Sequence, residues 1–162
     1  MLQLQIASKN DLSVIAELAK IIWNTHYVPI IGQMQVNYML EKIYNYDSLV
    51  AQVDVNNHQF YLIKEAEIVI GFLSASSDSD CNFFLHKFYI VSESSKKGIG
   101  TTIMNKFQHI LQPKSITLTV NRQNFKSINF YFKNGFKIKS VEDFDIGNDY
   151  QMNDFVMVKY YN

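Results

Sequence analysis

Residues 88–101, Phe-Tyr-Ile-Val-Ser-Glu-Ser-Ser-Lys-Lys-Gly-Ile-Gly-Thr, hold the ingredients of an anion site. A strand-like run enters a polar turn, and Gly98 and Gly100 then open a helical pattern. The first turn of a helix leaves backbone N–H groups without intrahelical acceptors and carries partial positive charge. Glycines remove side chains that would block approach, so a phosphate can rest against those amides. Lys96 and Lys97 add charge at the same place. Two other phosphate motifs fit less well. A Walker loop needs Gly-Lys-Ser/Thr after a longer spacing, and the Rossmann fingerprint needs a third glycine where Ile103 stands. The bland alternative is a helix that merely begins Gly-Ile-Gly.

A second stretch follows at residues 118–136: Leu-Thr-Val-Asn-Arg-Gln-Asn-Phe-Lys-Ser-Ile-Asn-Phe-Tyr-Phe-Lys-Asn-Gly-Phe. Together the two segments resemble the GNAT superfamily of acetyl-CoA-dependent N-acyltransferases. The family's pyrophosphate loop reads Gln/Arg-x-x-Gly-x-Gly/Ala, and Ser95-Lys-Lys-Gly-Ile-Gly100 matches it except at Ser95. The family's second motif is a strand, then Asn-x-x-Ala, a Tyr four residues on, and a closing Gly-Phe. Here the matches are Asn124, Ser127 (small, in place of Ala), Tyr131, Gly135 and Phe136.

The resemblance implies a GNAT fold with a central splayed parallel strand pair, and acetyl-CoA as cosubstrate. It implies that Ser95, Lys96, Lys97, Gly98, Ile99, Gly100 and Thr101 surround the pyrophosphate. It also implies that the main chain of Phe88 and Ile90 pairs with the pantetheine arm, and that Asn124 and Ser127 complete the cofactor site.

The chemistry can be reasoned independently. Attack of an amine on a thioester needs a donor for the developing oxyanion and a proton for the leaving thiolate. A strand N–H near Ile90 suits the first task. Tyr131 suits the second, since a phenol's reference pKa of about 10 lies near that of a thiol. The plain alternative for Tyr131 is one ring in an aromatic cluster with Phe130 and Phe132. The incoming ammonium must also lose a proton. His86 and Glu93 are the nearest titratable residues in sequence, and alternation puts His86 on one strand face with Phe88 and Ile90. His86 equally reads as a strand histidine satisfied by hydrogen bonds, with the proton passing through water.

The elements that must position these groups follow from periodicity and punctuation. Leu2–Ala7 reads as a strand. Leu12, Ile15, Leu18, Ala19 and Ile22 read as one helix face, and Val36, Met39, Leu40 and Ile43 as another. Pro29 and Gly32 are expected to break the chain between them. Residues 60–63, 68–75 and 83–91 read as strands and 99–111 as a helix closed by Pro113. Residues 116–120 alternate as a strand, 125–134 form a helix stopped by Gly135, and 136–141 and 155–160 complete the strands. A strand–helix–strand unit within a mixed sheet implies one parallel pair with a right-handed crossover. The expectation is a single α/β (α+β-like) domain over residues 1–162, its sheet mostly antiparallel.

In the resembling family the two N-terminal helices and their connection shape the acceptor pocket. Trp23, His26, Tyr27 and Tyr38 would give an apolar wall with polar tips for a small-molecule or peptide amine, although Trp23 also suits packing of the first helix. Glu41, Asp47 and Asp54 are the carboxylates on hand for a polyamine.

Bulk composition is compatible with these readings. Lys and Arg together number 15, as do Asp and Glu, so no net field recruits nucleic acid or an anionic membrane. The single cysteine, Cys81, excludes an intramolecular disulfide and a multi-cysteine zinc site. The four histidines are too scattered to suggest a metal. No signal peptide or spanning segment is legible, which points to a cytoplasmic protein. Ten Tyr and 12 Phe exceed ordinary core needs, so a groove or a homodimer contact is open alongside a monomer.

Overall fold

The computed structural model describes residues 1–78, 80–91 and 98–161. These fall into two compact units, one of residues 1–76 and 87–111, the other of residues 77–86 and 112–162. The strand β4, Asn82–Ile90, contributes its first half to the second unit and its second half to the first.

The first unit begins with β1 (Leu2–Ile6) and a 3-10 turn, Lys9–Asp11. The Asp11 carboxylate accepts from the Ser8 backbone N–H and from Ser8 Oγ, both at 2.7 Å, which fixes where the following helix starts. Helix α1 (Leu12–His26) buries Leu12, Ile15, Leu18, Ala19, Ile22 and Trp23, the helical stripe expected from spacing with Trp23 added. Four helices occupy the region where two were expected. Pro29 does not break the chain but sits in the first turn of a short α2 (Val28–Ile31), where a proline's missing N–H costs nothing. Gly32, at φ 82°, makes the break and leads into α3 (Gln33–Ile43). The second additional helix, α4 (Tyr46–Asp54), is capped by Asn45, whose side chain accepts from Ser48 N at 2.9 Å.

β2 (Gln59–Glu65) pairs antiparallel with β1 and with β3 (Ile68–Ser77). β3 and β4 approach closely at Gly71, where an added Cβ would lie 2.2 Å from the Tyr89 carbonyl oxygen. Any side chain there would displace β4. Helix α5 (Ile99–Leu111) buries Ile103, Met104 and Phe107, and the Phe107 ring meets Tyr61 edge-on at 5.7 Å. Truncating Phe107 to alanine would cost about 3–5 kcal/mol by the usual price of an aromatic core cavity.

In the second unit β5 (Ser115–Asn121) runs parallel to β4, with pairs from Asn82↔Ser115 to Leu85↔Leu118. That ladder ends there, although β4 continues to Ile90 and β5 to Asn121. On its other side β5 pairs antiparallel with β7 (Tyr150–Tyr160) along its whole length. β7 in turn pairs antiparallel with β6 (Lys137–Gly147). The strands are thus mostly antiparallel with β4–β5 the parallel pair, as expected. Both β6 and β7 are longer than the sequence pattern indicated, meeting at a turn where Gly147, Asn148 and Asp149 all have positive φ. Helix α6 (Phe125–Lys133) lies between β5 and β6 in the chain and buries Ile128 and Tyr131.

Candidate functional site

The strand β4 leads toward the glycine turn. Glu93, Ser95, Lys96 and Lys97 lie outside the described residues, so what is on view is the far side of the turn. Gly98 adopts φ 77°, a left-handed conformation, and among the described residues nothing lies within 4 Å of where a Cβ would stand. Its carbonyl accepts the first bond of α5, from Thr102 N at 3.0 Å. Helical geometry therefore directs the N–H groups of Ile99, Gly100 and Thr101 out of the N-terminal end of α5. A glycine beside a helix start, with backbone donors directed outward, fits a diphosphate.

Phe88 and Ile90 are half-buried on β4. The same strand ends with Val91 N bonded to the Ile70 carbonyl at 2.9 Å, which ties it to β3.

In the second unit Asn124 caps α6, its Oδ1 accepting from Ser127 N at 3.2 Å. The spacing of these two residues thus has a local structural use. Tyr131 is 8% exposed and its ring meets Phe130 at 5.2 Å and Phe136 at 5.5 Å. The neighbour expected from sequence, Phe132, is exposed instead. His86 is half-buried, its ring 4.8 Å from that of Phe84.

An aromatic cluster in the first unit brings together Trp23, His26 and Tyr27, three of the four residues expected to form an acceptor wall. Trp23 is 3% exposed and stacks on Tyr27 at 4.4 Å. Tyr44 lies 5.4 Å and Tyr89 6.2 Å from Trp23, and His26 meets Tyr27 edge-on at 4.9 Å. The Tyr44 hydroxyl donates to Tyr89 Oη at 3.4 Å, a long bond, and burial pushes the Tyr44 phenol above its ordinary range. Tyr38 is engaged elsewhere, accepting from Lys42 Nζ at 2.8 Å. Of the three carboxylates, Asp54 is paired with Lys9 at 2.8 Å, while Glu41 and Asp47 are exposed.

Beneath this wall is a residue that sequence reasoning missed. Lys87 is 6% exposed, and its Nζ donates to Gln52 Oε1 at 2.5 Å. The Tyr44 and Phe60 rings lie 5.6 and 5.4 Å from the same nitrogen. Burial lowers the lysine pKa to about 7. Burial, with a smaller contribution from the Lys87 charge, also lowers His58 to about 4, leaving its imidazole neutral at physiological pH. The one available hint was that Lys87 falls within a long strand-favouring run from Phe83 to Val91. Among the described residues no group of three or more His, Cys, Asp or Glu side chains is arranged to hold a metal. No helix there is long and apolar enough to cross a membrane.

Comparison with known proteins fits this geometry. The model of the acetyltransferase (GNAT) domain matches residues 28–152. The spermidine N(1)-acetyltransferase of Thermoplasma acidophilum is 25% identical over 174 residues, covering 99% of this chain and 98% of its own. The crystal structure of PaiA N-acetyltransferase from Thermoplasma acidophilum, in complex with coenzyme A, superposes with a TM-score of 0.81 at 26% identity, covering 99% of both chains. A probable acetyltransferase from Staphylococcus epidermidis shares the fold, with a TM-score of 0.80 at 14% identity over 100% of both chains. The protein's class is therefore that of the acetyl-CoA-dependent N-acetyltransferases, with acetyl-CoA as acyl donor. The chain belongs to the GNAT acetyltransferase family.

Proposed function

We propose that the protein transfers an acetyl group from acetyl-CoA to a primary amine of a small molecule or peptide by direct attack, a spermidine-type polyamine being the first candidate. The observation that carries the choice of amine is the end-to-end match with the Thermoplasma acidophilum spermidine enzyme. Bound acetyl-CoA supplies the thioester. The N–H groups at the start of α5, opened by Gly98 and Gly100, hold the diphosphate, with Ser95, Lys96 and Lys97 preceding them in the chain. The main chain of Phe88 and Ile90 holds the extended arm as an added strand would be held. Trp23, Tyr27 and His26 provide the acceptor wall. Aromatic faces favour a cationic amine before it is deprotonated. Tyr131 donates the proton that the departing sulfur needs, and His86 accepts the amine proton directly or through water.

Thiol release from acetyl-CoA, measured against a panel containing spermidine, other polyamines, amino acids and peptides, tests this reading. Turnover is expected with at least one polyamine. Tyr131→Phe is expected to lower kcat by about 100-fold with the acetyl-CoA KM nearly unchanged, the usual scale for a lost general acid. If coenzyme A raises the melting temperature while no amine gives turnover, the polyamine reading fails. Wild-type kcat in Tyr131→Phe removes the role of Tyr131.

A further inference from the structure

We propose that Lys87 is a positioning residue for the acceptor side of the reaction, tying α3 and α4 to β4 through Gln52 so that the aromatic wall keeps a fixed orientation to that strand. The inference rests on the reading of the Trp23–Tyr27 wall as the face that meets the amine. A lysine head group removed from water is costly, and it persists where a partner fixes it. The partner here is bifunctional. Gln52 Oε1 accepts from Lys87 Nζ at 2.5 Å while Gln52 Nε2 donates to the Ile43 carbonyl at 2.8 Å. Lys87 belongs to β4, Gln52 to α4, and Ile43 is the last residue of α3, so two bonds connect three elements.

The next residue after Ile43 is Tyr44, which joins that connection to the wall. Its ring lies 5.6 Å from Lys87 Nζ and 5.4 Å from the Trp23 ring, and its hydroxyl bonds to Tyr89. Tyr89 stands two residues beyond Lys87 on the same face of β4. Tyr44 is thus held to β4 from both ends, by Lys87 below and Tyr89 above. Phe88 and Ile90, whose main chain is assigned to the acyl arm, alternate with these two residues. Lys87 therefore helps to set how the amine-facing rings are oriented to the strand that carries the thioester. An apolar residue of similar volume would fill the space as well, and would often be at least as stable. What it would lose is the directional bond.

The test uses Lys87→Met, Gln52→Met and the double variant in the full chain. Trp23 is the only tryptophan, so its emission reports the wall directly and without turnover. Each single variant is expected to raise the acceptor KM about 10-fold, the scale of one lost buried hydrogen bond. kcat and coenzyme A affinity should stay within about twofold of wild type. The double variant should be no worse than either single, because both remove one connection. Trp23 emission should shift to the red and quench more readily in all three. Wild-type acceptor KM and emission in folded Lys87→Met would overturn the inference, as would equal rises in the KM values for amine and acetyl-CoA. If Lys87→Met does not fold, Gln52→Met reads the same connection from its other end. Lack of wild-type turnover with every amine would defeat the proposed function, whereas unchanged Trp23 emission in the variants would defeat the Lys87 role.

Discussion

The two compact units start their helices α5 and α6, and bury the charged side chains Lys87 and Asp154, in opposite ways. In the second unit α6 is closed by its own sequence, with the Asn124 side chain accepting from Ser127 N at 3.2 Å. In the first, α5 opens from a left-handed Gly98, and among the described residues nothing lies within 4 Å of where its Cβ would stand. A capped helix end has spent a donor on the fold, whereas a glycine-opened end presents its donors to an outside anion. Buried charge divides similarly. The first unit buries a base, Lys87, lowered to about 7, and the second buries an acid, Asp154, raised to about 6 chiefly by burial. Under the proposed function the two motifs, alike in form as strand, turn and helix, divide the work: the first holds the diphosphate and the second carries Tyr131.

The largest effect is expected at Tyr131, where the phenylalanine variant should lose about 100-fold in kcat yet keep its stability nearly intact. The buried charges come next, because they act in separate pH windows. Lys87 is protonated in both folded and unfolded chains below about pH 7, so its burial penalty is fully present there. As pH rises from about 7 toward 10.5 the folded chain sheds that proton first, and stability gains up to about 4 kcal/mol. Lys87→Met should abolish this alkaline rise, read as denaturant midpoints at pH 6.5 and 10. Asp154 gives the reverse slope. Its penalty is absent below about pH 3.8 and complete above about 6, so it removes about 3 kcal/mol across that window. Asp154→Asn should flatten that loss, and an undiminished slope in the variant would show that Asp154 is not its source. The smallest effect belongs to the cap. Asn124→Ala should cost about 1 kcal/mol of stability, while Asn124→Ser, which keeps a neutral acceptor, should cost less. A drop in coenzyme A affinity larger than the stability loss would show that Asn124 also serves the ligand.

Much of this division was legible in the residues. Gly98 and Gly100 before a 3.6-residue repeat, and Asn124 before another, mark both helix starts because caps and glycines are local backbone chemistry. The strand that joins the units was legible too, as an apolar run. What escaped lay where local pattern is silent. β6 is exposed over most of its length, so residues 142–147 show no alternation to read. Helix α4 begins with a good cap at Asn45 but buries only Leu49 and Gln52, a stripe too thin to register. Lys87 escaped because a lysine in a strand ordinarily marks a solvent face, and only the tertiary position of Gln52, 35 residues earlier, inverts that expectation. Tyr44 and Tyr89 joined the wall for the same reason.

Under the proposed function, main-chain donors at the start of α5 hold the diphosphate of acetyl-CoA. Calorimetric titration of coenzyme A into wild type and Gly100→Glu tests it most directly, since the variant places bulk and negative charge at that helix start. A loss of about 30-fold or more in affinity is expected, with the melting temperature of the free protein little changed. Wild-type affinity in the folded variant would contradict it.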